Sequence, residues 1–265
     1  MICHIKVGRF LLFYYFCNMN QKKCALILSG LMVGIVIFLL LRMPIISGGW
    51  TKQTIYLWLL NSCHLQKSDV QPMIMFIDDD SGTGIFVIHR ICEEIGIKAT
   101  FAVIPSRLDS ILSDSLKNWQ QEGYGIALHG LKHEHWNEWS ADAVINDINR
   151  SEQLLVTMGF KPDFQYVVSP YGCNTANVRK AIKTKGFQMV TLANIVNPDN
   201  SLFQLGRIMI SKNSDVKEME ELLVKAKTER GFVILGTHSS MPDEFSEDKT
   251  KIVLKQALNL GLKFV

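Results

Sequence analysis

The chain has 265 residues, 48% of them hydrophobic, and a formal net charge of +3. That length supports a substantial core, and the weak charge, with no Lys/Arg run longer than Lys22–Lys23, argues against nucleic acid as a partner. The six cysteines lack C-x-x-C spacing and point to neither a zinc knuckle nor a disulfide framework.

The amino end carries the first strong signal. Cys24 to Leu41, "CALILSGLMVGIVIFLLL", is 18 residues without a charge, flanked by Lys22–Lys23 and Arg42. A helix of that length rises about 27 Å, close to the hydrocarbon thickness of a bilayer. Lys6, Arg9, Lys22 and Lys23 precede it, which by the positive-inside bias favours a cytoplasmic amino terminus and an exported remainder. Residues 24–42 are therefore read as an uncleaved transmembrane anchor following a cytoplasmic segment, 1–23. A cleaved signal peptide, with "SGG" at Ser47–Gly49 as its cleavage region, is the alternative, and Met19 is an alternative start. Residues 43–70 form a linker that includes the apolar "TIYLWLL", and the predicted location is the cell membrane, with residues 71–265 outside the cytoplasm.

From Met73 onward, apolar runs alternate with helical patterns. "MIMFI", "ATFAVI", "YGIAL", "FQYVV", "FQMVTL", "GRIMI" and "FVILGT" read as strands, with "KFV" as a last apolar run. Between them lie an amphipathic helix at "GIFVIHRICEEIGI", one at "SDSLKNWQQEG" stopped by Gly123, and one from the N-cap Ser140 to the stop Gly159. Further helices are expected around residues 174–185, 214–229 and 246–260. Such alternation specifies right-handed βαβ units, and seven or eight of them close into a distorted barrel with its chemistry at the carboxyl ends of the strands.

Polar reactive residues do follow the apolar runs. The first strand ends in "FIDDDSG", where three like charges call for a compensating cation at Asp78 and Asp79, while Asp80 fits a polar turn with Ser81 and Gly82. The third strand leads into "HGLKHEHW", three of the chain's seven histidines. His129 and His133 are four residues apart, so two imidazoles and one carboxylate can converge on an ion and leave positions open for water and substrate. His135 falls outside that set as a substitute ligand, and the spacing is not the H-E-x-x-H of a zinc protease. In "SPYGCNTANV", Pro170 and Gly172 fix a turn whose backbone N–H groups can face the barrel mouth; by itself this is an ordinary turn. "THSS" places His238 at another strand end as a candidate general acid. Cys173 reads as a small filler.

Together these segments resemble the NodB-homology polysaccharide deacetylases, family four of the carbohydrate esterases, over about residues 70–265. "FIDDD" resembles T-F-D-D-G, "HGLKH" resembles H-[ST]-x-x-H, "SPYG" resembles R-x-P-Y, "GTHS" resembles the late L-x-H, and "GIKATFAVI" resembles G-I-x-A-T-F-F. The resemblance implies a distorted (β/α)7 barrel and a divalent metal, with Zn²⁺ expected. It implies Asp78 as catalytic base, Asp79, His129 and His133 as metal ligands, and His238 as the acid, and the backbone N–H of Tyr171 is taken to stabilise the oxyanion. The expected reaction is removal of acetyl groups from an N-acetylated cell-wall or surface polysaccharide; O-acetyl ester hydrolysis and a catalytically weak glycan-binding barrel are the alternatives. Two departures stand out. Val168 occupies the place of the arginine that pairs with the catalytic carboxylate, and the Asp-Trp motif that orients the acid histidine has no counterpart beyond Asp199.

Overall fold

A computed structural model describes residues 71–265; the expected anchor, cytoplasmic segment and linker lie outside the described residues. Among the described residues no helix is long and apolar enough to cross a membrane.

The elements run β1 (Met73–Asp79), α1 (Ile85–Ile95), β2 (Thr100–Val103), α2 (Ser110–Gln121), β3 (Gly125–Leu128), α3 (Ala141–Thr157) and β4 (Tyr166–Val168). They continue with α4 (Ala176–Thr184), β5 (Gln188–Leu192), β6 (Gln204–Met209), α5 (Val216–Glu229), β7 (Phe232–Thr237), α6 (Glu247–Asn259) and β8 (Lys263–Phe264). Each named strand pair is parallel, and β1 to β7 close into a ring through the pairing of β1 with both β2 and β7. The ring is distorted at one seam. Only Ile77–Asp79 of β1 pair with β2, while Met73 and Ile74 pair with β8, which fills the gap at the amino end.

A parallel sheet covered on both faces needs apolar residues on both, which is why the strand segments are nearly continuous in hydrophobicity. Alternate residues then divide between two cores. Met75, Ile77, Ala127, Val190, Phe232 and Ile234 help to fill the barrel lumen. Ile74, Phe76, Phe101, Leu128, Val233 and Leu235 face outward and pack with Ile88, Leu116, Val144 and Leu223 of the helices. The helix starts follow from capping chemistry: Ser140 accepts from Ala143 N at 3.2 Å, and Asp109 accepts from Leu112 N at 2.8 Å.

One connection departs from the strand–helix alternation. No helix joins β5 to β6. The link instead folds onto the barrel through Asn197, which makes a single antiparallel bridge with Phe232 and whose side chain bonds both the N–H and the C=O of Gly206, at 2.8 Å each. A side chain at 206 would stand 2.5 Å from Ile195 Cγ1, so the missing Cβ admits the link.

Phe232 is fully buried in the lumen, whereas Ile252 on α6 is 45% exposed. Phe232→Ala should lower unfolding stability by about 3–5 kcal/mol, and Ile252→Ala by no more than about 0.5 kcal/mol, as measured by urea titration.

Candidate active site

Strand alternation decides where each aspartate goes. Ile77 faces the lumen, so Asp79 does too, and Asp78 shares the outer face with Ile74 and Phe76. Asp78 is buried there, close enough to Cys92 of α1 that its charge adds to burial in pushing that thiol up to about 12. Its Oδ1 accepts from Thr237 Oγ1 at 2.6 Å and Ser239 N at 2.9 Å, and its Oδ2 from Ser239 Oγ at 2.6 Å. Burial pushes this carboxyl up to about 7, even though all three donors favour the charged form. Asp78 thus braces the end of β7 from outside the lumen. The expectation that it is the catalytic base is corrected by this geometry, because it sits on the wrong face of β1.

Asp79 faces the lumen instead. Arg207 Nη1, arriving from β6, donates to its Oδ2 at 2.5 Å, and His238 Nε2 and His129 Nε2 lie 3.5 and 3.7 Å from the same oxygen. Burial alone would raise its pKa, but the Arg207 charge, followed by His129 and the bonds from His238 and Arg207, holds it well below the usual carboxylate range. Its other oxygen, Oδ1, is buried with no hydrogen-bond partner.

β1 ends at Asp79, and Asp80 turns into the left-handed region at φ 75°, followed by Ser81 at φ 46°. The turn expected from the sequence is present, yet it aims a carboxylate at the histidines. Asp80 Oδ1 lies 3.5 Å from His133 Nε2, 3.6 Å from Arg107 Nη1 and 3.9 Å from His129 Nε2, and no hydrogen bond reaches it. One ligand atom from each of Asp80, His129 and His133 lies within 4.8 Å of the others. The acidic member of that group is Asp80 and not the expected Asp79, whose Oδ2 is engaged by Arg207. The aspartates that face the histidines are thus Asp79 and Asp80, one residue later than the pair expected from the motif likeness.

The two histidines suit ligation. His129 Nδ1 lies 2.7 Å from Val168 O; a carbonyl only accepts, so Nδ1 carries the proton and Nε2 keeps its lone pair. Burial lowers the pKa of His129, and burial followed by the nearby His129 charge lowers that of His133 to about 4. Two neutral imidazoles around an unsatisfied buried carboxylate oxygen form the donor set of a divalent metal. His135 stays outside it, stacked on the Tyr171 ring at 3.6 Å with its Nδ1 3.9 Å from Cys173 Sγ.

His238 follows β7. Its Nδ1 is 2.9 Å from Glu244 Oε2, while its Nε2 faces Asp79. Burial would lower its pKa, but the bonds to Asp79 and Glu244 overcome that and raise it to about 9. Glu244 returns to this position because Glu244 N and Phe245 N both bond Met241 O, and Lys212 N bonds Glu244 O. Asp199, the weak sequence candidate for orienting the acid, instead accepts from Ser201 N and Ser201 Oγ in the β5–β6 link.

The Ser169–Cys173 segment forms a tight turn in which Tyr171 takes a left-handed φ of 54°. The Tyr171 ring packs 4.4 Å from His133 and is 56% exposed, which sets this turn beside the histidines at the mouth. A side chain at Gly130 would come within 2.9 Å of Pro170 Cγ, so that glycine lets the two loops meet.

Two residues of this site, Arg207 and Glu244, escaped the sequence reading. A lone arginine in the apolar strand "GRIMI" was the available signal for the first, since a charge buried in a strand demands a partner. No local pattern marks Glu244.

Residues 66–190 match the family model described as polysaccharide deacetylase. No curated protein matches the chain. Among solved structures, a family 4 acetyl xylan esterase from Clostridium thermocellum, in complex with a cobalt ion, is similar at TM-score 0.56 and 14% identity, covering 73% of this chain and 87% of that one. The catalytic domain of a peptidoglycan N-acetylglucosamine deacetylase from Eubacterium rectale gives 0.53 and 13% identity, over 77% and 92% of the two chains. A CE4 family pseudoenzyme from Bacillus anthracis gives 0.52 and 13% identity, over 73% and 63%. At these identities the structural likeness speaks to the fold alone. The family match over residues 66–190 agrees with the resemblance to the NodB-homology polysaccharide deacetylases carried by the motifs.

Proposed function

We propose that this chain is a metal-dependent hydrolase that removes acetyl groups from the amino sugars of a cell-wall or surface glycan. The observation that carries the reading is the partition at the end of β1. A carboxylate oxygen without a donor faces two neutral imidazoles, and beside it a second carboxylate is held ionised by an arginine. The similar structures named as an acetyl xylan esterase and an N-acetylglucosamine deacetylase support the acetyl group as the target.

Asp80, His129 and His133 would hold the divalent ion, with zinc as the expected metal, and such an ion would polarise the acetyl carbonyl and acidify a water molecule. Asp79 is the base. Its Oδ2 is fixed by Arg207, leaving Oδ1 to take the proton from the attacking water. The Tyr171 backbone N–H donates to the developing oxyanion. His238 is the acid: Glu244 holds Nδ1, and Nε2–H delivers the proton that the leaving nitrogen requires. Amide cleavage is favoured over ester cleavage because an amine leaves poorly without a proton, and His238 is raised to about 9 and so protonated at neutral pH. The apolar run of residues 24–42 and the basic residues before it support a membrane-tethered domain, 71–265, outside the cytoplasm, where such a glycan lies.

Acetate release from N-acetylglucosamine oligomers by zinc-loaded protein tests the reading directly. Asp79→Asn should lower kcat by about 10²–10⁴-fold, and undiminished turnover by that variant would sink the mechanism. Calorimetric zinc titration should show Asp80→Ala losing more than about 100-fold in affinity while Asp78→Asn stays near wild type.

The pH dependence has a definite sign. His238 must be protonated to donate, so kcat should hold below its pKa and fall as pH rises through about 9. His133 must be neutral to bind the ion, so activity should also fall as pH drops through about 4. His238→Ala should lose the alkaline limb and cost amide hydrolysis more than ester hydrolysis, as read by comparing N-acetyl with O-acetyl substrates.

A further inference from the structure

Asp79 and Asp80 are adjacent, and distance alone does not decide which of them joins the histidines. Asp79 Oδ2 is 3.7 Å from His129 Nε2, and Asp80 Oδ1 is 3.9 Å from it. What separates them is a third group. Arg207 donates a hydrogen bond to Asp79 Oδ2 from inside the barrel, whereas Asp80 Oδ1 has no hydrogen-bond donor and its guanidinium neighbour, the half-exposed Arg107, stands 3.6 Å away.

Arg207 is 3% exposed and, among the described residues, is the one lysine or arginine in the buried class. It lies two residues after the lumen residue Leu205 on β6 and so shares its face, and its side chain enters the barrel from the strand that pairs with β5 and β7. Room is made for it. A side chain at Gly236 would stand 3.2 Å from Arg207 Cδ and 2.7 Å from Met209 Sδ. The arrangement works against stability, since Arg207 Nε is buried without a partner and an apolar residue of similar size would avoid that desolvation.

We propose that Arg207 is the positioning residue that assigns the two neighbouring carboxylates their separate roles. By binding Asp79 it withholds that group from the ion, leaves Asp80 as the acidic ligand, and supplies from β6 the cation for which Val168 leaves no place on β4. This inference rests on the deacetylase reading for its kinetic consequence, but not for its effect on ion binding.

The test uses Co²⁺ alone as the probe and needs no substrate. Arg207→Ala frees Asp79 to enter the coordination sphere, so its visible Co²⁺ absorption should weaken and shift relative to wild type. Arg207→Ala/Asp79→Asn should restore the wild-type spectrum, and Arg207→Lys should keep it. With N-acetylglucosamine oligomers, Arg207→Ala should lose about 10–100-fold in kcat with little change in KM, and Arg207→Lys should retain part of it. If circular dichroism shows that the alanine variant does not fold, Arg207→Gln is read in its place. An unchanged Co²⁺ spectrum overturns the proposal, as does a changed spectrum that Asp79→Asn does not restore. A wild-type kcat in Arg207→Ala overturns it too. Wild-type protein that releases no acetate overturns the deacetylase reading instead, and the spectra then decide the role of Arg207 by themselves.

Discussion

Three carboxylates follow one another at the end of β1, all buried, and the site depends on how their mutual repulsion is relieved. Neighbouring like charges in a low-dielectric interior must be neutralised, hydrogen-bonded or paired with cations. Here each receives a different remedy: Asp78 two hydroxyls and an amide, Asp79 a hydrogen-bonded buried guanidinium, and Asp80 a pair of imidazoles with the half-exposed Arg107 at 3.6 Å. Backbone geometry enforces the division. Strand alternation sends Asp78 and Asp79 to opposite faces, and the left-handed φ of Asp80 brings its carboxylate back toward the lumen side.

The barrel makes these remedies available to one another. In a closed parallel sheet all carboxyl ends lie at the same rim, so His129 after β3, Arg207 on β6 and His238 after β7 approach Asp79 from widely separated stretches of chain. Close approach also requires missing side chains, which is what Gly130 provides beside Pro170 and Gly236 beside Arg207. The His129–Val168 bond ties the third and fourth strands together at the same level. It makes Val168 useful through its carbonyl, although its side chain is not the arginine that the motif carries there.

Most of the fold was legible because period-two and period-3.6 hydrophobicity are local signals, and every strand read from the sequence is present. The β5–β6 link carries no helix, and the sequence placed none there; what the sequence does not encode is that Asn197 secures the link through side-chain bonds to a backbone nine residues away. The histidines of the site were legible from spacing and from their place after apolar runs. Motif likeness points to Asp78 and Asp79, whereas the structure turns Asp79 and Asp80 toward the histidines, because Asp79 shares the lumen face of Ile77. Arg207 and Glu244 were missed for a different reason. Each does its work through a contact across the fold or across a loop, and no spacing in the chain encodes such a partner.

That difference in support separates the proposed base from the proposed acid. Asp79 is fixed by a buried arginine on a strand in mid-barrel, where screening is weak and the ion pair is correspondingly rigid. His238 is fixed on one side by the strand end that Asp78 braces, through Thr237 and Ser239, and on the other by Glu244, which is 56% exposed on its loop. A carboxylate so open to solvent orients an imidazole but couples to it weakly, so the charge of His238 depends heavily on Asp79 as well. The proposed proton acceptor and proton donor therefore share one carboxylate oxygen, Asp79 Oδ2, as a common anchor. Whatever displaces that oxygen disturbs both ends of the proton transfer at once.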